Sequence, residues 1–390
     1  MIAQTDPDDE QICLGQDERL DENSGAVMPP IFQTSLFRKG TLRQLQDELS
    51  EESKNYVYTR GQNPTVAVLE GKLATLERGE ACKCFASGMA AVSAALTGLL
   101  KQGDHILFVN HIYGPTLKLA QHLTRFGIEH THTLELDSGK IESELLANTR
   151  MIYFENPGTM MFRLVDIQKL AALAKKHNIL TVIDNTWATP LFQKPLTHGV
   201  DISVHSCTKY IGGHSDVVAG AVITNKALMA EIFRGAYMLN GGILAPFDAW
   251  LLIRGLRTLP VRLKQHHKDA LVLAKNLQKH PRIKNVYHPA LQSATLSLAK
   301  RYFTGYSGLF SIELNTDKFK DICRFVDSLQ LFRKGVSWGG VESLVISPNR
   351  GDNQQVLQKL QLPPGLVRLS VGLEGAEMLT DDIMQALTKL

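Results

Sequence analysis

Two residues of opposite charge, Asp184 and Lys209, each stand just past a short apolar run, at 180–183 and 202–204. Both runs are rich in β-branched residues and stop abruptly at small and polar ones. That pattern suits strands buried on both faces of a parallel sheet. An acid and a lysine at the carboxyl ends of neighbouring parallel strands lie where open α/β sheets bind ligands. An amine becomes a useful nucleophile or base only when its pKa falls below about 10.4. Taken alone, the pair reads more simply as a helix cap and a surface lysine. The neighbours of Lys209 argue for chemistry: Ser206 and Thr208 are small hydroxyl residues, and Gly212-Gly213 lets the backbone pass close to a ligand.

The usual way to exploit such an amine is an imine with pyridoxal phosphate (PLP), with an aspartate protonating the pyridine nitrogen so that the ring becomes an electron sink. The stretch Asp184-Asn185-Thr186-Trp187, followed by Ser206-x-Thr208-Lys209-Tyr210-x-Gly212-Gly213-His214, resembles the PLP signature of the Cys/Met metabolism (trans-sulfuration) enzymes. These include cystathionine β-lyase, cystathionine γ-lyase, cystathionine γ-synthase and methionine γ-lyase. The resemblance extends from about Tyr58 to Gly372. It implies that Lys209 carries PLP, that Asp184 holds the ring nitrogen protonated, and that Ser206 and Thr208 help to bind the cofactor.

Other candidates are placed by residue type first and by the resemblance second. Ser87-Gly88-Met89 opens an Ala-rich helix, and by itself reads equally well as an N-cap or an anion site. The resemblance selects a phosphate cradle, with Gly88 and Met89 donating main-chain N–H groups. Tyr113 follows the strand at 105–110, where an aromatic ring can stack on the pyridine or sit near the reacting amine. The resemblance makes Tyr113 that stacking residue. Tyr58-Thr59-Arg60 has phosphate-binding chemistry, although Asn63-Pro64 reads as a turn. The resemblance implies that Tyr58 and Arg60 reach the cofactor phosphate of a neighbouring subunit. Arg368 interrupts an apolar strand, a costly position unless paired. The resemblance selects a substrate α-carboxylate as its partner, with Ser337 a companion through its main chain and Trp338 beside it. Thr159 stands where many relatives carry an asparagine that would meet the cofactor hydroxyl, and it departs from that pattern.

No metal site is expected. Cys82-Lys83-Cys84 lacks a second ligand pair and alternates like a strand. His205 and His214 lack a third ligand and suit hydrogen bonds in the wall, and adjacent His266-His267 face different ways on a helix. The five cysteines, at 13, 82, 84, 207 and 323, suit free thiols in a reducing cytoplasm. With a net charge of +3 and no long basic run, nucleic acid is not an expected partner. No apolar stretch approaches the roughly 20 residues needed to span a membrane.

The elements that must position these residues alternate strand and helix, which predicts a parallel sheet with right-handed crossovers. Helices are expected at 65–78, from 87 to about 100, and at 167–176. A long helix is expected over 251–280, with a kink or new start at Pro260. Strands are expected at 82–86, 105–110, 151–154, 180–183, 202–204, 219–224, a half-buried 308–314, and 367–372. Residues 1–25 carry eight acids and one base, and their first part is expected to be loosely ordered. The proline-bearing apolar stretch 29–37 is expected to extend and pack on a partner subunit. The expected organisation is an arm (1–65), a large PLP-binding domain (66–250) and a small C-terminal domain (251–390). The resemblance makes this an α/β protein of fold type I, aspartate aminotransferase-like, with a mixed, mostly parallel sheet in the large domain and a smaller α+β domain.

The activity implied is α,β-elimination of L-cystathionine to homocysteine, pyruvate and ammonia, in the reactions of methionine biosynthesis, with cysteine desulfhydration as a side activity. The partner is then a small sulfur amino acid, and the assembly a cytoplasmic homotetramer of two catalytic dimers. Trp338, Pro115 and the Arg254–His267 stretch favour the β-lyases. Val336 argues against γ-synthase, since cystathionine γ-enzymes commonly carry Glu there and methionine γ-lyases an apolar residue. Cystathionine or methionine γ-elimination is therefore the alternative. A PLP-binding regulator without turnover is more remote, because no DNA-binding module is visible and the chemical residues are complete.

Overall fold

The structure is a computed structural model that describes residues 3–15 and 25–390. Its larger sheet has seven strands: β1 (Ala81–Phe85), β2 (His105–Val109), β3 (Glu129–Thr133), β4 (Thr149–Glu155), β5 (Leu180–Asp184), β6 (Ile202–His205) and β7 (Gly220–Thr224). They lie in the order β1-β7-β6-β5-β4-β2-β3. The neighbours from β6 to β3 are parallel, while β7 runs antiparallel to both β6 and β1. Central strands read as nearly continuous apolar runs because helices cover both faces, leaving Ile106 to Val109 and Val182 and Ile183 with no exposure. The larger sheet is mixed and mostly parallel, as expected.

A second sheet of five strands, β8 (Ile283–Tyr287), β9 (Leu309–Leu314), β10 (Arg333–Lys334), β11 (Leu344–Ile346) and β12 (Leu366–Ser370), has the order β10-β11-β12-β9-β8. The alternation in β9 predicts a half-buried strand, yet all six residues are buried, including Ser311 and Glu313. β9 lies between β8 and β12, and the Glu313 carboxylate is bonded by Lys284, Asn285 and Tyr287.

Seven helices brace these sheets or carry residues of the site: α1 (Pro7–Leu14), α2 (Pro64–Glu77), α3 (Gly88–Thr97), α4 (Gly114–Leu123), α5 (Ile167–Lys176), α6 (Pro246–Leu277) and α7 (Ala376–Leu387). α6 packs on α1, α2 and α7 and so spans both sheets. No new start occurs at Pro260, for the helix runs unbroken through the proline. Its buried face continues across it through Leu252, Leu256, Leu259 and Leu263, and Arg262 reaches back to the Gly255 carbonyl at 2.8 Å. Packing here outweighs the lost main-chain donor.

The N-terminal expectation also needs correction. Residues 7–14 form α1, capped by Asp6, with Asp9 and Cys13 fully buried. The acids that suggest looseness are partly neutralised: Asp9 meets Arg78 at 2.8 Å and Lys194 at 2.6 Å, and Glu10 meets Lys264 at 2.6 Å. Residues 16–24, the rest of that expectation, lie outside the described residues. The arm at 29–37 holds no helix, only a single bridge from Leu36 to Tyr58, and leaves Ile31, Phe32 and Leu36 exposed.

Candidate active site

Lys209 lies in the turn that follows β6. Its amine donates to the Ser337 hydroxyl at 2.6 Å and sits 5.5 Å from the centre of the Trp338 ring. Burial, then the Arg368 charge, pull its pKa down to about 8, against an opposing pull from Asp184. Ser337 has φ +84°, a left-handed conformation that serine seldom adopts, and its side chain reaches the amine from there. Two residues on, Gly339 (φ +87°) lies so near that a Cβ would come within 2.9 Å of the Tyr210 nitrogen. Only glycine allows the 337–340 turn to close on the lysine turn.

Arg368, on β12, is 9% exposed and donates to the Ser337 carbonyl at 3.2 Å. Burial lowers its pKa to about 10. Among the described residues it has no acid partner, and a buried guanidinium without one is an anion site. Ser337 thus touches both cations, by its hydroxyl and by its main chain. The expected role of the Ser337 main chain, beside Arg368 at a substrate carboxylate, is a different contact from this one, and the hydroxyl contact to Lys209 was not expected. The small-residue turn Ser337-Trp338-Gly339-Gly340 was its one signal.

Asp184 ends β5, in register with Glu155 on β4 and Val204 on β6. Its Oδ1 accepts both the main-chain N–H of Thr186 (3.0 Å) and the Thr186 hydroxyl. That hydroxyl also accepts the N–H of Ser206 at 2.8 Å, so one threonine ties the acid to the lysine turn. Burial pushes the Asp184 carboxyl above its usual range, while Thr186, His205 and Lys209 oppose the shift. Glu155 is pushed much further, by burial and then by the charge of Asp184. The Glu155 carboxyl accepts the main-chain N–H of Tyr113, the N-cap residue just before α4. Tyr113 is half exposed, and its phenol lies within electrostatic reach of Arg368. Thr186 and Glu155 escaped the sequence reading as positioning groups. Thr186 lay inside the lysine–aspartate motif, and Glu155 carried no local sign.

Ser87 caps α3 by accepting from the Ala90 N–H, so the Gly88 and Met89 N–H groups have no partner among the described residues. A Cβ on Gly88 would fall 2.8 Å from Ser206 Cβ, so the helix start and Ser206 form one cradle. Thr208 is committed elsewhere: its hydroxyl donates to Ala219 O (3.2 Å) and accepts from Ala219 N (3.0 Å). Tyr58 and Arg60 are exposed, with the guanidinium 5.6 Å from the Tyr58 ring centre. No hydrogen bond among the described residues joins them to Lys209, Asp184 or Gly88. Thr159 donates its N–H to His111 O.

These groups fit PLP chemically. A helix N-terminus with free N–H groups and a serine suits a phosphate, a carboxylate with one oxygen free of protein hydrogen bonds suits a pyridinium, and a depressed lysine suits an aldehyde. No cluster of three His, Cys, Asp or Glu side chains among the described residues could hold a metal. His205 bonds Glu77, His214 bonds Gly212 O at 2.7 Å, and His266 and His267 point to Val371 and Tyr306. All five cysteines are free. No helix among the described residues is long and apolar enough to cross a membrane.

The family model described as Cys/Met metabolism PLP-dependent enzyme matches residues 10–388. An L-methionine gamma-lyase of Pseudomonas deceptionensis is 41% identical, over 94% of each chain. A cystathionine beta-lyase of Coxiella burnetii is 37% identical, over 95% of each. A crystal structure from Campylobacter jejuni, described as a candidate O-acetylhomoserine (thiol)-lyase with N′-pyridoxyl-lysine-5′-monophosphate, matches with a TM-score of 0.91 at 33% identity. That match covers 97% of this chain and 99% of the other.

Proposed function

The chain belongs to the Cys/Met metabolism PLP-dependent enzymes, and from that premise we propose that it is a carbon–sulfur lyase cleaving L-cystathionine at Cβ, to homocysteine, pyruvate and ammonia. Its cofactor is PLP. The Gly88 and Met89 N–H groups and Ser206 would hold its phosphate, Asp184 its ring nitrogen, Tyr113 would cover the ring, and Lys209 would be the amine that meets its aldehyde. When bound, PLP supplies the electron sink for the charge left at Cα. Arg368 takes the substrate carboxylate, which fixes the amino acid with its Cα hydrogen toward Lys209. Lys209 would remove that proton; the bond from Cβ to sulfur then breaks, homocysteine leaves as a thiolate that takes up a proton, and water hydrolyses the remaining three-carbon enamine to pyruvate and ammonia.

The observation that carries the β assignment is the tether on the Lys209 amine. A β-elimination takes one proton, from Cα, so its base can stay in one place. A γ-elimination takes a second from Cβ, and its base must travel. The Ser337 hydroxyl bonds the amine at 2.6 Å and the Trp338 ring centre lies 5.5 Å from it, contacts that favour one position. Methionine γ-elimination is the second reading. Val336, 76% exposed near this turn, supports it, because an apolar residue there offers no partner for the distal amine of cystathionine. The likeness to methionine gamma-lyase points the same way. Identifying the keto acid decides between them. Pyruvate from cystathionine is expected, and 2-oxobutyrate as the main product from cystathionine or methionine would reverse the assignment.

A further inference from the structure

Glu77, the last residue of α2, is fully buried behind the larger sheet. One of its oxygens, Oε1, accepts three side-chain hydrogen bonds: from Asn185 Nδ2 at 2.8 Å, from Ser203 Oγ at 2.8 Å and from His205 Nε2. Its Oε2 has no partner among the described residues. Asn185, Ser203 and His205 are themselves buried, at 0 to 1% exposure. Asn185 directly follows Asp184, and His205 directly precedes Ser206.

The register puts this node on the side of the sheet away from the cofactor acid. Asp184 pairs with Val204 and shares its face, whereas Ser203 and His205 alternate to the opposite one. Glu77 therefore grips β6 from the rear through two residues, and the end of β5 through a third. A carboxylate buried here is costlier than the apolar side chains that could fill this space. What it adds is direction, because hydrogen bonds to a charged acceptor are short and orientation-dependent. His205 also adds an electrostatic pull that opposes the upward shift on Asp184.

We propose that Glu77 is a positioning residue for cofactor binding, fixing from behind the sheet the strand ends that present Asp184, Ser206 and Lys209. The proposal rests on the reading of those three as PLP ligands. Its test is titration of cofactor-free protein with PLP, followed by the visible imine absorbance, with far-UV circular dichroism to confirm folding. Glu77→Ala should raise the PLP Kd tenfold or more. Glu77→Gln keeps an acceptor oxygen in place and should restore the Kd to within threefold of the unaltered protein. A smaller rise in folded Glu77→Ala overturns the proposal, and so does a Glu77→Gln no better than alanine. If Glu77→Ala does not fold, Ser203→Ala and His205→Ala each remove one bond and should each raise the Kd threefold or more; unaltered affinity in both overturns it. If the unaltered protein develops no imine band, the underlying PLP reading fails instead.

Discussion

Lys209 and Arg368 put two cations into one cleft, and their repulsion helps to set the pH at which the amine can work. Burial is the larger cause of the Lys209 shift to about 8, and Arg368 the second. Imine formation needs the neutral amine. The rate at which cofactor-free protein captures PLP should therefore climb with pH to about 8 and level off above it. Arg368→Leu removes the like charge, so the midpoint should move up toward the ordinary lysine value. A midpoint that stays or falls would show that the repulsion is absent. The same shift sets the sign for stability. Between about pH 8 and about 10.4 the unfolded chain holds a proton on this lysine that the folded protein lacks, so its cost is full below 8 and is relieved as pH rises through that window. Lys209 and Asp184 were legible in sequence because their motif partners lie within a few residues. The Ser337 hydroxyl and the Glu77 node were not, because each contact (Lys209 with Ser337, His205 with Glu77) joins residues 128 apart.

At the scale of elements, α1 is the part that composition misjudged. A segment rich in acids looks loose only while its cations are unseen. Arg78 stands 69 residues from Asp9 in sequence, and no local pattern announces the pairing. Removing a buried charge that serves two partners leaves Lys194 without its acid and Arg78 with Asp6 alone among the described residues. Asp9→Ala should therefore destabilise the protein by about 3 kcal/mol, read as a fall in the thermal or denaturant midpoint. Lys264→Ala breaks the more exposed pair with Glu10 and should cost no more than about 1 kcal/mol. Equal losses in the two variants would mean that α1 is held by its apolar contacts instead. Eight strands and α5 were legible for the opposite reason, since their signal is a run or stripe of apolar residues within one segment; β3, β8, β10 and β11, short or polar, were not expected. Pro260 misled because a proline's local cost says nothing of the apolar face that continues past it.

At the scale of the whole molecule, the segment 25–60 leaves a strip of apolar and aromatic surface exposed, with Val27, Ile31, Phe32, Leu36, Leu42, Leu49, Tyr56 and Tyr58 along it. Arg60, at its end, has chemistry suited to a phosphate and, among the described residues, contacts only the Tyr58 ring. A strip of this kind on a folded chain is suited to a partner surface. Subunits that lend residues to one another fit the resemblance's implication that Tyr58 and Arg60 act on a neighbour's cofactor. The arrangement predicts complementation. Lys209→Ala alone and Arg60→Ala alone should each lose most activity, as each spoils every site in its own assembly. Mixed dimers hold one site with both defects and one with neither. Co-expression, or unfolding and refolding the two together, should then restore activity toward about a quarter of the unaltered level, because half of randomly paired dimers are mixed and half of their sites are whole. If the two residues serve the same site within a single chain, each chain keeps its own lesion and no activity returns. Recovery against none therefore separates a shared site from a private one, whatever substrate is used to read it.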